Sequence, residues 1–193
     1  MSTEAPTKSA KLITPEARLS FPSLFVPRAP MEGSAGEPKY SCVLIFPKDA
    51  DLSALKAAAS AAVKEKWGDK KPANLRSPFR DGNEKELDGY KDCVFINISS
   101  KQKPGVVDEN VQPIIDASAI YAGCYVRASV RAYAYDTNGN RGVAFGLNNI
   151  QKTRDGDAFG GGPSRAEDDF AAVAGAKAAP ARPNATGDFE EPF

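Results

Sequence analysis

The stretch Gly123-Cys124-Tyr125-Val126-Arg127-Ala128-Ser129-Val130-Arg131-Ala132-Tyr133-Ala134-Tyr135 alternates apolar and polar residues without a break. It is followed by Asp136-Thr137-Asn138-Gly139-Asn140 and a second arm, Arg141 to Lys152. Period-two alternation on both sides of an Asn-Gly pair is the signature of a β-hairpin with a tight turn. In a strand, successive side chains point to opposite faces. Cys124, Val126, Ala128, Val130, Ala132 and Ala134 therefore form a core face. Tyr125, Arg127, Ser129, Arg131, Tyr133 and Tyr135 form the other, which carries three tyrosines, two arginines and no carboxylate before Asp136.

Upstream, Cys93-Val94-Phe95-Ile96-Asn97-Ile98-Ser99 repeats the pattern, with Phe95, Asn97, Ser99 and Lys101 sharing a face and Lys101-Gln102-Lys103 extending it. Before it, a polar stretch from Asp69 to Lys91 places Arg76, Phe79 and Arg80 among turn residues, where they could close a cleft over that face; long loops on a small domain tend to be functional. Leu52 to Trp67, opened by Asp51 and stopped by Gly68, reads as a helix. It is alanine-rich, has lysines in its last turn, and can pack Leu52, Leu55, Ala59, Ala62 and Val63 on a sheet. Lys39 to Phe46 reads as a strand covered on both faces, and Pro15 to Pro27 as one strand bulged at Pro22. A second loop spans Lys103 to Ala119. The expected fold is mainly β: five strands, one inserted helix and long loops, which suits a small, partly open barrel.

The chain has 193 residues, enough for one domain with a substantial core. We expect a flexible N-terminus over 1–11, the folded domain over 12–154, and a linker with an acidic tail over 155–193, where Ala, Gly and Pro dominate. The zero net charge conceals a division. Residues 1–154 carry 22 Lys/Arg against 17 Asp/Glu, and 155–193 carry 3 against 8. The last six residues, Asp188, Phe189, Glu190, Glu191, Pro192 and Phe193, offer a partner three carboxylates, two phenyl rings and a terminal carboxylate, chemistry suited to a basic, apolar pocket. Cys42, Cys93 and Cys124 lack metal-ligand spacing and read as buried free thiols of a reducing compartment. With no membrane-length apolar run and no signal-peptide core, the chain reads as soluble and intracellular.

The absence of histidine removes Ser-His and Cys-His nucleophile pairs, His-ligated zinc and imidazole bases together. No phosphate-binding loop motif occurs, and the carboxylates Asp81, Glu84, Glu86, Asp88 and Asp92 read as a solvated charge run rather than a Mg²⁺ site. We expect no catalysis and no cofactor. An aromatic and arginine face suits single-stranded nucleic acid, since rings stack on bases and guanidinium groups pair with phosphates. Tyr and Arg are also enriched at protein contacts, so the alternative is a non-catalytic structural or protein-interaction module whose Tyr/Arg face is a protein interface.

The order strand, strand, helix, long loop, strand, then the Gly123 to Val130 arm and its Asn-Gly hairpin, resembles the single-stranded-DNA-binding proteins of tailed bacteriophages over roughly residues 12 to 154. The resemblance implies an oligonucleotide/oligosaccharide-binding (OB) barrel that coats single-stranded DNA during phage replication or recombination in the cytoplasm of the infected bacterial host. Glu190-Glu191-Pro192-Phe193 is similar to the acidic Pro-Phe tip of bacterial single-stranded-DNA-binding proteins, with Phe189 interrupting the acids. That similarity implies recruitment of replication or recombination proteins by the tail. The DNA-contacting residues expected from the face argument are Tyr125, Arg127, Arg131, Tyr133, Tyr135, Phe95, Lys101, Lys103, Arg76, Phe79 and Arg80.

Overall fold

In the computed structural model, which describes residues 10–30 and 36–160, β7 (Tyr125–Thr137) and β8 (Asn140–Arg154) form the expected hairpin. Asn138 and Gly139 at its tip have φ of 50° and 80°. Two consecutive left-handed residues form a turn whose twist matches that of the arms, which is why an Asn-Gly pair occupies it. Around the hairpin lie β1 (Leu12–Ile13), β2 (Ala17–Arg28), β3 (Lys39–Pro47), α1 (Ser53–Trp67), β4 (Arg80–Asp81), β5 (Cys93–Ser100) and β6 (Gly105–Val107).

The long strands pair in the ring β2-β3-β5-β8-β7, and β7 returns to β2 through Ala17↔Val126 and Arg18↔Tyr125. Every pairing in the ring is antiparallel except β5 with β8. The expected five-stranded barrel with one helix is thus present, and closing the ring leaves its principal strands few open edges. Three shorter strands add to it. β1 pairs with β7, β4 with β5 and β6 with β8. None was foreseen, because two or three residues carry no readable alternation.

Inside the ring Leu19, Leu44, Phe46, Ile96, Ile98, Val126, Val130, Phe145 and Ile150 are buried. Each such side chain contributes about 1.5–3 kcal/mol on leaving water. The helix adds Leu52, Leu55, Ala59 and Ala62 to the same core, as its spacing indicated. Asp51 acts one residue outside the helix cap: its carboxylate accepts from the Ser53 N–H at 3.0 Å, and hydrogen bonds first from the Ser53 side chain and then from that N–H hold its pKa below the usual aspartate value. The proline bulge in β2 is also real. Its register with β3 shifts between Ser20 and Ser23, and Phe21 takes a left-handed φ of 45°.

Two expectations need correction. Phe95 points away from the barrel core as its alternation requires, yet it is only 2% exposed. Residues 82–92 fold over it, placing the Tyr90 ring edge-on at 5.3 Å and forming a second apolar cluster with Ile45. A ring so covered offers no face to a base. The second correction concerns the expected boundary at Asp155. Packed chain continues beyond it: Arg18 donates to the Asp157 carbonyl at 2.6 Å, and the Phe159 ring lies 4.2 Å under that guanidinium. The tail tip at 188–193 and the N-terminal residues 1–9 lie outside the described residues.

Candidate nucleic-acid interface

Three neighbouring strands bring their outward residues into columns. Across the β7–β8 ladder, Tyr135 faces Gly142, Tyr133 faces Ala144 and Arg131 faces Gly146. On the other side of β8, Ser99 of β5 sits opposite Gly146. The middle column is therefore almost without side chains. Tall residues of β7 stand on one side of a bare strip, with β5 on the other, and the result is a trough.

At its Tyr135 end the trough deepens into a cleft of about 570 Å³ lined by Arg76, Arg80, Asn97, Tyr135 and Ala144 among others. Arg76 reaches it because its backbone continues the β8 edge beyond β5. Its N–H donates to the Arg141 carbonyl at 2.9 Å, and its carbonyl accepts from the Val143 N–H at 3.1 Å. Gly142 makes this approach possible. A Cβ there would meet the Arg76 carbonyl oxygen at 2.7 Å and the Tyr135 hydroxyl at 2.8 Å.

Tyr133 is 44% exposed and Tyr135 half-buried. Desolvation holds the Tyr133 phenol above its ordinary pKa, and the neighbouring Tyr135 adds to the effect. The Tyr133 ring thus meets a ligand as a neutral surface at neutral pH. Among the described residues, Arg76, Arg127 and Arg131 form no ion pair, and Arg80 reaches Glu84 only at 3.9 Å. Cations left without carboxylates favour an anionic ligand. Further along the face, the Arg131 Nε, Ser129 Oγ and Asn148 Nδ2 atoms are buried with no hydrogen-bond partner.

The remaining expected residues are placed differently. The Tyr125 ring already holds a cation, since the Arg154 guanidinium lies 3.4 Å from its centroid and is tethered to Glu16 at 2.9 Å. Phe79 turns inward and meets Phe145 at 72° and 5.8 Å between centroids. Phe95 sits beneath Arg80, whose guanidinium carbon is 5.3 Å from the ring centroid. Lys101 is paired with Glu37, whereas Lys103 is exposed and forms no ion pair among the described residues. The structure thus groups Arg76, Arg80, Tyr133, Tyr135 and Arg131 around the trough, leaves Arg127 exposed beyond them, and gives Phe79, Phe95 and Tyr125 packing partners.

Sequence reading placed Asn97 on this face without naming it as a contact residue, and it overlooked Gly142, Ala144 and Gly146 as the floor. The signal was legible: small residues recur at period two on β8, directly opposite the Tyr/Arg column. No group of three His, Cys, Asp or Glu side chains among the described residues comes together to hold a metal. Burial raises the thiol pKa values of Cys42 and Cys124, so neither supplies a thiolate nucleophile at neutral pH.

Comparisons with known proteins bear on this geometry. Residues 10–180 match the model of the family described as Enterobacter phage Enc34, ssDNA-binding protein. A curated protein of Acyrthosiphon pisum secondary endosymbiont phage 1, called putative protein p50, is 36% identical over 165 residues, covering 79% of this chain and 88% of its own. Among solved structures, the single-stranded DNA-binding protein from bacteriophage Enc34 in complex with ssDNA superposes with a TM-score of 0.66 at 24% identity, over 83% of this chain and all of that one. The gp2.5 single-stranded DNA binding protein of bacteriophage T7 superposes at 0.54 with 14% identity, over 76% and 93%. At these identities the structural likeness is one of fold, and it agrees with the OB barrel expected from the sequence.

Proposed function

The chain belongs to the family described as the Enterobacter phage Enc34 ssDNA-binding protein, and from that premise we propose that it binds single-stranded DNA in the β7–β8–β5 trough, largely without regard to sequence. The observation that carries this reading is the trough itself. The rings of Tyr133 and Tyr135 rise beside a floor of Gly142, Ala144 and Gly146, with Arg76 and Arg80 opposite. Bases stack on the rings while guanidinium groups take the phosphates, and neither contact reads base edges.

In this reading the role is to coat and protect DNA without catalysis, through rings that stack and guanidinium groups that hold phosphates. In this reading that role is exercised during phage DNA replication or recombination, in the cytoplasm of the infected bacterial host. The acidic tip at 188–193 recruits partner proteins and competes with DNA for the basic body, because it carries the opposite charge. In this account residues 12–154 hold the binding domain, with the packed extension to Phe159, and the chain beyond carries the tip.

The test is a labelled mixed-sequence oligonucleotide, single-stranded or duplex, titrated with the full chain and with a chain lacking 188–193. The expected result is preference for the single strand, with equal or tighter binding after the deletion. Clear weakening by the deletion would remove the competition. Weak, salt-insensitive binding in both chains would instead favour the protein-interface reading of the Tyr/Arg face.

A further inference from the structure

The cleft at the Tyr135 end of the trough does not stop at Arg76. Arg76, Ser77, Pro78 and Val143 line it, and the same four residues line a second cavity of about 620 Å³ bounded by α1. Lys56 and Lys64 of the helix, with Lys71 and Arg76, are the charged residues of this cavity, and all four are exposed. No carboxylate lines it, and none of the four cations forms an ion pair among the described residues. Grouped cations without counter-charges attract a polyanion.

The helix sets the spacing of two of them. Lys56 and Lys64 stand eight positions apart on α1, which at 1.5 Å per residue separates them by about 12 Å along its axis. At about 3.4 Å per nucleotide along a stacked strand, that distance accommodates about three phosphates. Between the two lysines the helix presents Ala59, Ser60 and Val63, which keep the floor low. The one ring lining the cavity, Phe79, packs edge-on against Phe145 in the core. The cavity therefore offers cations to phosphates but no free stacking face to bases. In the trough, by contrast, Tyr133 and Tyr135 stand beside the arginines.

We propose that a single strand leaving the trough turns at Arg76 and runs on through this cavity, its phosphates held by Lys56, Lys64 and Lys71. This deepens the function proposed above and rests on that reading. Two observations select a DNA backbone as the occupant. The cavity is continuous with the trough through four shared residues, and its charged lining is all of one sign. Arg76 stands at the junction. Two backbone hydrogen bonds fix it to the β8 edge, so its guanidinium has a fixed origin from which it meets a phosphate in either cavity. The two parts of the path then act differently. Rings add a stacking term to affinity in the trough, whereas the lysines add only a term that salt weakens.

The experiment titrates the full-length protein with labelled single strands of about 5 and about 15 nucleotides, near the two ends of the range of OB-fold site sizes, each across a salt series. The short strand is expected in the trough, where the rings are, so its salt dependence is the trough's own. The longer strand should bind more tightly and with a steeper slope of log K against log salt. Lys56→Gln/Lys64→Gln should make the long strand's slope shallower by about 1.4, at about 0.7 per phosphate, and weaken it about three- to tenfold at low salt. The short strand should stay within about twofold. A control pair, Lys66→Gln/Lys70→Gln, removes as much charge from residues that do not line the cavity and should leave both slopes unchanged. An unchanged long-strand slope in the Lys56/Lys64 variant would overturn the proposal and leave the cavity to another occupant, such as an acidic peptide. Equal losses from the control pair, or on both strand lengths, would also overturn it, because net charge rather than the cavity would then be responsible. Tyr133→Ala separates this proposal from the reading beneath it. It should weaken both strands with slopes intact. If it weakens neither, the trough falls and the path with it; if it weakens both while the two lysines prove inert, only the path falls.

Discussion

Removing the Tyr133 ring deletes a stacking surface without opening the core, because its outer face already meets solvent and its inner face rests over Gly146. Tyr133→Ala is expected to cost about 1–3 kcal/mol of single-strand affinity, similarly for different base sequences, with little change in Tm. Phe95→Ala should do the reverse. Its ring is buried against Tyr90 and Ile45, so truncation should lower unfolding free energy by about 3–5 kcal/mol in a denaturant titration while the folded fraction still binds DNA. Alternation alone does not separate these two residues. Each is an aromatic on the outward side of its strand, and only the fold of 82–92, a chain segment without period, decides that one is covered. Glu16 illustrates a smaller effect of the same locality. Hydrogen bonds from Arg154 and then Thr153 hold its carboxyl below the usual glutamate range. A depressed folded-state pKa contributes stability above the ordinary value of about 4.3, and the contribution is lost as pH falls through the folded value. Because Arg154 is exposed and Glu16 only partly covered, solvent screens the pair, which is worth about 0.2–1 kcal/mol at neutral pH. The Tm difference between wild type and Glu16→Gln should therefore shrink as pH is lowered from 7 toward 3.

Among the elements, β8 determines the shape of the site by what it lacks. Gly142 lets two neighbours approach its Cα, the Arg76 backbone and the Tyr135 hydroxyl, and both would have to retreat from a methyl group. Gly142→Ala should lower DNA affinity and stability together, since the hydrogen bonds that tie Arg76 to the β8 edge and the Tyr135 contact cannot both be kept. Circular dichroism melting and an oligonucleotide titration on one preparation would check it; an unchanged variant would show that Arg76 is positioned in some other way. The hairpin, the helix and the proline bulge were all legible from local chemistry, through Asn138-Gly139, the run from Asp51 to Gly68 and Phe21-Pro22. β1, β4 and β6 were not legible, because they exist only as additions to edges that longer strands present. The same limit explains Tyr125. Its place on the outward face follows from alternation, but the Arg154 that covers it comes from the far end of β8, and register across a bulge cannot be counted from one strand.

At the scale of the molecule, the excess of Lys and Arg in residues 1–154 acts through a field that salt screens. In the proposed mode Arg76, Arg80 and Arg131 in the trough and Arg127 beyond it would each neutralise a phosphate, and each neutralised phosphate of a single strand contributes about −0.7 to the slope of log K against log salt. Four such contacts predict a slope of about −3. Stacking on Tyr133 is not an ionic contact, so removing that ring should lower affinity and leave the slope unchanged. The most direct test of the trough is therefore fluorescence anisotropy of a labelled mixed-sequence single strand, with a duplex control, across a salt series for the wild-type chain and for Tyr133→Ala. The account predicts single-strand preference, a slope near −3 in both proteins, and a parallel displacement of the variant's line by about 1–3 kcal/mol. Superimposed lines for the two proteins, or equal affinity for the duplex, would contradict it.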